Sequence, residues 1–204
     1  MSRPQIEYYA STVSPWTYLG AARFRQIAEA HDAEVSLKIV DLGQVFPHTG
    51  GLPLPKRAPA RQAYRMTELE RFRDFHQLPL VLQPRHFPSR TPLSAHLCML
   101  AGEQGGSKAG MLACEAVLTA LWAEEKDMDD AGQLAMVLDK AGFDGPALLA
   151  TADAEAARLA QQLADNSAKA VRKQVFGAPS YVLDDEVFWG QDRLDLLAWR
   201  LQQA

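Results

Sequence analysis

Ser14 is the residue of this sequence best placed to do chemistry, because two periodicities meet there. Ahead of it Ile6, Tyr8 and Ala10 alternate with Glu7 and Tyr9 as in a strand. Behind it Trp16, Leu19, Phe24 and Ile27 recur at helical spacing. Ser14-Pro15 is a good helix start: a serine hydroxyl at an N-cap accepts a backbone N–H, and proline fits the first helical position. On one reading, then, Ser14 is a cap and nothing more. The other reading uses the same geometry. A helix N-terminus at the end of a strand presents free N–H groups and the positive end of the helix dipole, which favour a thiolate or a phosphate.

The other chemically capable residue types offer less. Cys98 and Cys114 are the two cysteines, each inside an apolar helical pattern and too far apart for a Cys-x-x-Cys, so they read as reduced core residues. His31, His48, His76, His86 and His96 lack the His-x-x-x-His spacing that zinc chemistry favours, so no metal site is expected. A net charge of -4 and dispersed arginines leave no basic field for a phosphate backbone, which argues against nucleic acid. No N-terminal segment resembles a signal peptide and no apolar run reaches the ~20 residues that span a bilayer, so the expectation is a soluble cytoplasmic protein without membrane contact.

The elements that must position Ser14 follow in order. A helix from Pro15 to about His31 is succeeded by Val35, Leu37 and Ile39 alternating with Ser36 and Lys38. Strand, helix and strand within about forty residues make a βαβ unit with a parallel pair. From Gln44 to Pro59, Pro47, Pro53, Pro55 and Pro59 with Gly50-Gly51 predict a long, stiff loop. Helices then dominate up to Val175. An arginine-rich one carries Met66, Leu69, Phe72 and His76, and Leu78 to Arg90 is irregular. Thr91-Pro92 and Ser107 give fresh N-cap signals before Ala95–Leu100 and Met111–Trp122, and Asp129 to Gly142 and Asp153 to Gln174 are helical patterns. Ser180 to Leu183 and Glu186 to Trp189 flank Asp184-Asp185 as a β-hairpin, and Leu194, Leu197, Ala198 and Leu201 share one face of a last helix.

The order βαβ, helical block, ββα is that of an α/β protein with a thioredoxin-like fold. Residues 1–45 and 175–204 would form the thioredoxin-like domain and 46–174 an all-helical insertion. A doubly wound domain needs further parallel strands, and the middle of the chain does not supply them. With 204 residues, 48% of them apolar, the chain can bury a sizeable core.

Three motifs in this order, Ser14-Pro15-Trp16-Thr17-Tyr18-Leu19-Gly20, Phe176-Gly177-Ala178-Pro179 and Phe188-Trp189-Gly190-Gln191-Asp192-Arg193-Leu194, are similar to those of 2-hydroxychromene-2-carboxylate isomerases. That family resembles kappa-class glutathione transferases and DsbA-type proteins, and the resemblance runs along essentially the whole chain, through Thr49-Gly50-Gly51-Leu52-Pro53 and Arg61-Gln62-Ala63-Tyr64-Arg65. DsbA-type proteins carry Cys-x-x-Cys where this chain has Ser14-Pro15-Trp16-Thr17. Thiol exchange by built-in sulfurs is therefore excluded at this position.

What the resemblance implies is a borrowed thiol: glutathione as cofactor, with Ser14 facing its sulfur as the catalytic residue. It implies a cis Ala178-Pro179 whose alanine pairs with the extended tripeptide, Gln191 and Asp192 at the γ-glutamyl end, and Arg61 at the glycyl carboxylate with Lys56 close by. The family asparagine of the proline-rich loop falls on Gly51. The family reaction interconverts 2-hydroxychromene-2-carboxylate and trans-o-hydroxybenzylidenepyruvate, a step of naphthalene breakdown, so a small aromatic substrate and a homodimer are implied as well. A kappa-like transferase, an isomerase of another enone, and a cysteine-free DsbA-like binding module are the alternatives.

Overall fold

The computed structural model describes residues 3–89 and 92–203. Two strands, β1 (Gln5–Ala10) and β2 (Glu34–Ile39), pair in parallel from Gln5↔Glu34 to Ala10↔Ile39, joined through helix α1 (Pro15–Ala30). Near the other end of the chain β3 (Ser180–Leu183) runs antiparallel to β1, with Tyr9 opposite Ser180, and β4 (Glu186–Trp189) closes the order β2-β1-β3-β4. Asp184 and Asp185 both take positive φ, 50° and 65°, the conformation a two-residue hairpin turn of matching twist requires. The α/β frame read from the sequence is thus in place.

Both faces of the sheet are covered. On one, Tyr8, Phe24 and Tyr181 meet with ring centroids between 4.4 and 5.2 Å apart, in a cluster that continues through helices α3 (Pro59–His76) and α4 (Leu93–Trp122). On the other, Tyr9, Val40, Val182 and Ala178 pack with Val45 and Ala170. Tyr9 is therefore fully buried although it alternates with the core-facing Tyr8. Helices α5 (Ala131–Lys140) and α6 (Gly145–Ala154), N-capped by Asp130 and Asp144, lead into α7 (Ala156–Arg172), and α8 (Leu194–Leu201) ends the described chain's helices.

Two stretches depart from the sequence expectation. The proline-rich stretch is not all loop: Leu42–Thr49 is a helix, α2, with Pro47 inside it, followed by a 3₁₀ turn at Leu54–Lys56. Asp41 caps α2 by accepting the Gly43 N–H at 2.8 Å, Gly50 ends it at φ 76°, and Val45 is buried against the second cluster, so tertiary packing overrides the proline. Asp153 to Gln174 is two helices, interrupted at Glu155. The start signal at Ser107, by contrast, agrees with the structure, where the helix is interrupted just before it in a reversal. Gly106 takes φ 79° and ψ 174°, and the two halves of α4 fold back on each other. A Cβ on Gly110 would lie 3.0 Å from Gly102 Cα and 3.3 Å from the Cys98 carbonyl oxygen. Thr91, the other expected cap, lies outside the described residues.

Candidate functional site

Ser14 is the N-cap of α1, with extended φ −83° and ψ 124°. Its Oγ accepts the Thr17 N–H at 3.3 Å, and its hydroxyl donates to the Ala178 carbonyl at 3.2 Å. The cap reading is thus correct, and the same hydroxyl touches the backbone of the Ala178-Pro179 segment. That peptide bond is cis, as is Phe87-Pro88. The segment is held from its far side by the Gly190 N–H, which donates to the Pro179 carbonyl at 2.9 Å. Ser14, Ala178 and Pro179 are all buried, and buried Thr17 Oγ1 has no hydrogen-bond partner among the described residues. Thr12 Oγ1 and Ser94 Oγ, 2.8 Å apart, tie the β1–α1 turn to the start of α4.

This arrangement limits what Ser14 can do. Its single proton is committed to the Ala178 carbonyl, so an incoming acceptor must take that carbonyl's place. An anionic acceptor can, because charge-assisted hydrogen bonds are about twice as strong as neutral ones. The N–H groups of the first turn of α1 lie beside it and carry the positive end of the helix dipole. The site suits a soft anion better than a neutral ligand.

Gln191 and Asp192 sit in a 3₁₀ turn, Gln191–Arg193, entered through Gly190 at φ 100°. They differ sharply. Asp192 is exposed and paired to Arg193 at 2.7 Å, a surface pair of small worth. Gln191 is 1% exposed: its Oε1 accepts from His76 Nε2 at 3.0 Å and its Nε2 is buried with no partner among the described residues. Position 20 must be glycine for this to fit, since a Cβ there would stand 2.7 Å from Gln191 Cβ and 3.1 Å from Tyr181 Oη. Burial pushes the Tyr181 phenol pKa upward, so that hydroxyl stays neutral.

Arg61 lies on the exposed first turn of α3, and no described hydrogen bond or ion pair of its guanidinium joins it to Ser14, Ala178 or Gln191. Beside it, burial and then the Arg61 charge push the Arg57 pKa down. Arg57 Nε donates to the Leu52 carbonyl at 2.8 Å, and its guanidinium lies 6.0 Å from the Phe46 ring centroid. Phe46 also covers Gly51, where a Cβ would come 2.2 Å from Phe46 Cδ1, so an asparagine there would require the ring to move. Lys56 is exposed. The structure therefore joins Ser14 to Ala178-Pro179 directly and Gln191 to α1 through Gly20, and leaves Arg61 apart. Sequence reasoning missed His76 and the need for glycine at position 20. Gly20 closes the first motif and His76 falls in a helical pattern, but nothing local gives either its role, because their partner Gln191 is far along the chain.

Among the described residues no three His, Cys, Asp or Glu side chains gather to hold a metal ion, and no helix is long and apolar enough to cross a membrane. Cys98 and Cys114 lie elsewhere, buried and free, with hydrogen bonding to Cys114 and then burial pushing the Cys98 thiol pKa up.

Comparison with known proteins matches residues 5–202 to the DSBA-like thioredoxin domain. A 2-hydroxychromene-2-carboxylate isomerase of Pseudomonas sp. (strain C18) is 26% identical over 193 residues, spanning 94% of this chain and 87% of that protein. Glutathione S-transferase kappa 1 of Caenorhabditis elegans is 27% identical over 212 residues, 98% of this chain and 92% of its own. A solved 2-hydroxychromene-2-carboxylate isomerase superposes with a TM-score of 0.82 at 23% identity, over 98% of this chain and 95% of that one.

Proposed function

We propose that this chain, which belongs to the family of DSBA-like thioredoxin domains, is a glutathione-dependent isomerase that interconverts 2-hydroxychromene-2-carboxylate and trans-o-hydroxybenzylidenepyruvate. One observation carries the reading: the hydroxyl at the N-terminus of α1 stands against the carbonyl before a cis proline, at the place of a dithiol, in a chain whose own two thiols are buried elsewhere. The names of relatives alike over nearly the whole chain support both the cofactor and the reaction.

The residues fit a tripeptide thiol. Ser14 would donate its hydroxyl proton to the sulfur, releasing the Ala178 carbonyl. Ala178 would then offer that carbonyl and its N–H to the extended peptide, as an added strand does. With the Gln191 side chain buried, the backbone of the Gln191–Asp192 turn and the Asp192 carboxylate would take the γ-glutamyl end, and Arg61 the glycyl carboxylate. When bound, glutathione would supply a thiolate able to add to the conjugated double bond and leave again, so that the bond can rotate between cis and trans. The chain's part is to keep that sulfur ionised. The dipole contributes ~0.3–1 kcal/mol and the charge-assisted hydroxyl bond up to ~1.5–3. At 1.36 kcal/mol per unit these lower a thiol pKa by roughly one to three units from ~8.5.

The helical stretch 46–174 is, on this reading, an insertion that covers the site, and the protein works as a homodimer in the cytoplasm. Exposed Phe75, Leu196 and Trp199 are large apolar side chains that a second copy could cover. Incubating the protein with glutathione and the chromene tests the proposal. Equilibration of the two isomers with glutathione recovered unchanged is the expected result. Accumulation of a glutathione conjugate with an electrophile would instead make it a kappa-like transferase acting through the same residues, and calorimetry without any glutathione binding would leave a DsbA-like binding module.

A further inference from the structure

We infer that His76, at the C-terminal end of α3, is a positioning residue that holds the Gln191–Asp192 turn in its ligand-gripping conformation. The role rests on the reading that this turn receives the γ-glutamyl end of glutathione.

Gln191 is the starting point. A carboxamide can make four hydrogen bonds, and one buried to this depth is costly to leave unpaired. Here the amide has a single described protein partner, His76 Nε2, while its own Nε2 is buried without one. The contact is therefore what makes the buried position tolerable. Without it the cheapest relief is for the amide to swing out toward water. It cannot swing over α1, because Gly20 leaves no space between that helix and Gln191 Cβ. The side chain must move the other way and take the backbone of Gln191 and the adjoining Asp192 with it.

His76 is itself held in place. Its ring stacks on Phe72, with centroids 5.7 Å apart and planes at 16°, and meets the Phe75 ring at 5.1 Å and 67°. Phe72 in turn stands edge-on to Trp16, at 6.1 Å and 89°, two residues beyond Ser14. A chain of contacts thus runs from the first turn of α1 through α3 to the Gln191–Asp192 turn. It couples the helical block to both ends of the candidate ligand site. The bond needs a proton on His76 Nε2, which the Nε2–H neutral tautomer and the imidazolium both supply and the Nδ1–H tautomer does not.

Glutathione binding to wild type, His76→Phe and His76→Gln tests the role. Phenylalanine preserves the stacking on Phe72 and removes the donor; glutamine restores a donor without the ring. The expected results are a Kd for glutathione raised about tenfold in His76→Phe, equivalent to about 1.4 kcal/mol, and recovery to within about threefold in His76→Gln. The KM for glutathione should carry the loss, with kcat at saturation changing less than about twofold. A His76→Phe protein that binds within twofold of wild type, or a His76→Gln protein as weak as His76→Phe, overturns the positioning role. Nitrogen NMR of the wild type gives a check that no folding defect can blur: a His76 ring protonated at Nδ1 alone at neutral pH overturns the contact. A wild type that binds no glutathione overturns the parent reading first, before any variant is compared.

Discussion

The turn at Ser14 and the hairpin within α4 treat sulfur in opposite ways. At Ser14 the chain sets a hydroxyl beside a helix start and its positive dipole end, a setting that would favour an anion. In the α4 hairpin it folds Cys98 and Cys114 together in an apolar core, where hydrogen bonding to Cys114 and burial push the Cys98 thiol pKa up. One region would promote a thiolate and has no sulfur; the other has the sulfur and suppresses the thiolate. The difference teaches that, on the proposed function, thiol chemistry would be separated from the chain's own cysteines. On that reading a DsbA-like frame without the local dithiol would serve a borrowed thiol.

Returning the sulfur to the turn breaks the contrast most completely. Replacing Ser14→Cys together with Thr17→Cys should create thiol–disulfide exchange where the wild type has none, with the solvent-side thiol acidified into the ~3.5–7.5 range common to such helix starts; insulin reduction and thiol titration measure it. The next largest effect concerns the buried pair. Cys98 and Cys114 should react with an aromatic disulfide reagent at least about 10³-fold more slowly in the native protein than after denaturation, since reaction must wait for opening. Fast native labelling would erase the distinction between the two regions.

Smaller effects sharpen it. Gly20→Ala places a Cβ 2.7 Å from that of Gln191 and should cost about 1–3 kcal/mol by overpacking, read as a lowered Tm, with weaker glutathione binding alongside. The buried hydroxyls give a pH signature. Burial raises the pKa of Tyr8, Tyr18 and Tyr181, so the folded state holds these protons more tightly than the unfolded chain, whose tyrosines titrate near ~10. Their contribution to stability is complete below about pH 10 and is lost as pH rises through the folded-state values. In a Tyr64→Phe protein, which removes the one exposed tyrosine among the described residues, tyrosinate absorbance should therefore appear together with loss of helix, not ahead of it.

Much of the frame was legible because its signals are local. Ser14-Pro15 fixes a helix start with its own hydroxyl, and Asp184-Asp185 tolerates the positive φ a tight hairpin needs. The misreadings arose where distant packing decided the outcome. Helix α2 forms despite Pro47 because Val45 finds Tyr9, Val40 and Ala170 to pack on, which composition between Gln44 and Pro59 could not reveal. Ser107 marked the start of the second half of α4 correctly, whereas the fold-back at Gly106 and the close Gly102–Gly110 approach that unite the cysteines depend on backbone conformation and were not read. At the site, the motifs pointed to Gln191 without saying that its amide faces inward. That is set by His76 and Gly20, residues whose role nothing local marks.

The most direct test of the account is the thiol pKa of glutathione bound to wild type and to Ser14→Ala, followed by ultraviolet thiolate absorbance across pH. The account predicts a bound thiol roughly one to three units below its free value of ~8.5 in the wild type, with about one to two of those units recovered when the hydroxyl is removed and the dipole remains. Equal pKa values in the two proteins, or a wild-type bound thiol that titrates like free glutathione, would contradict it.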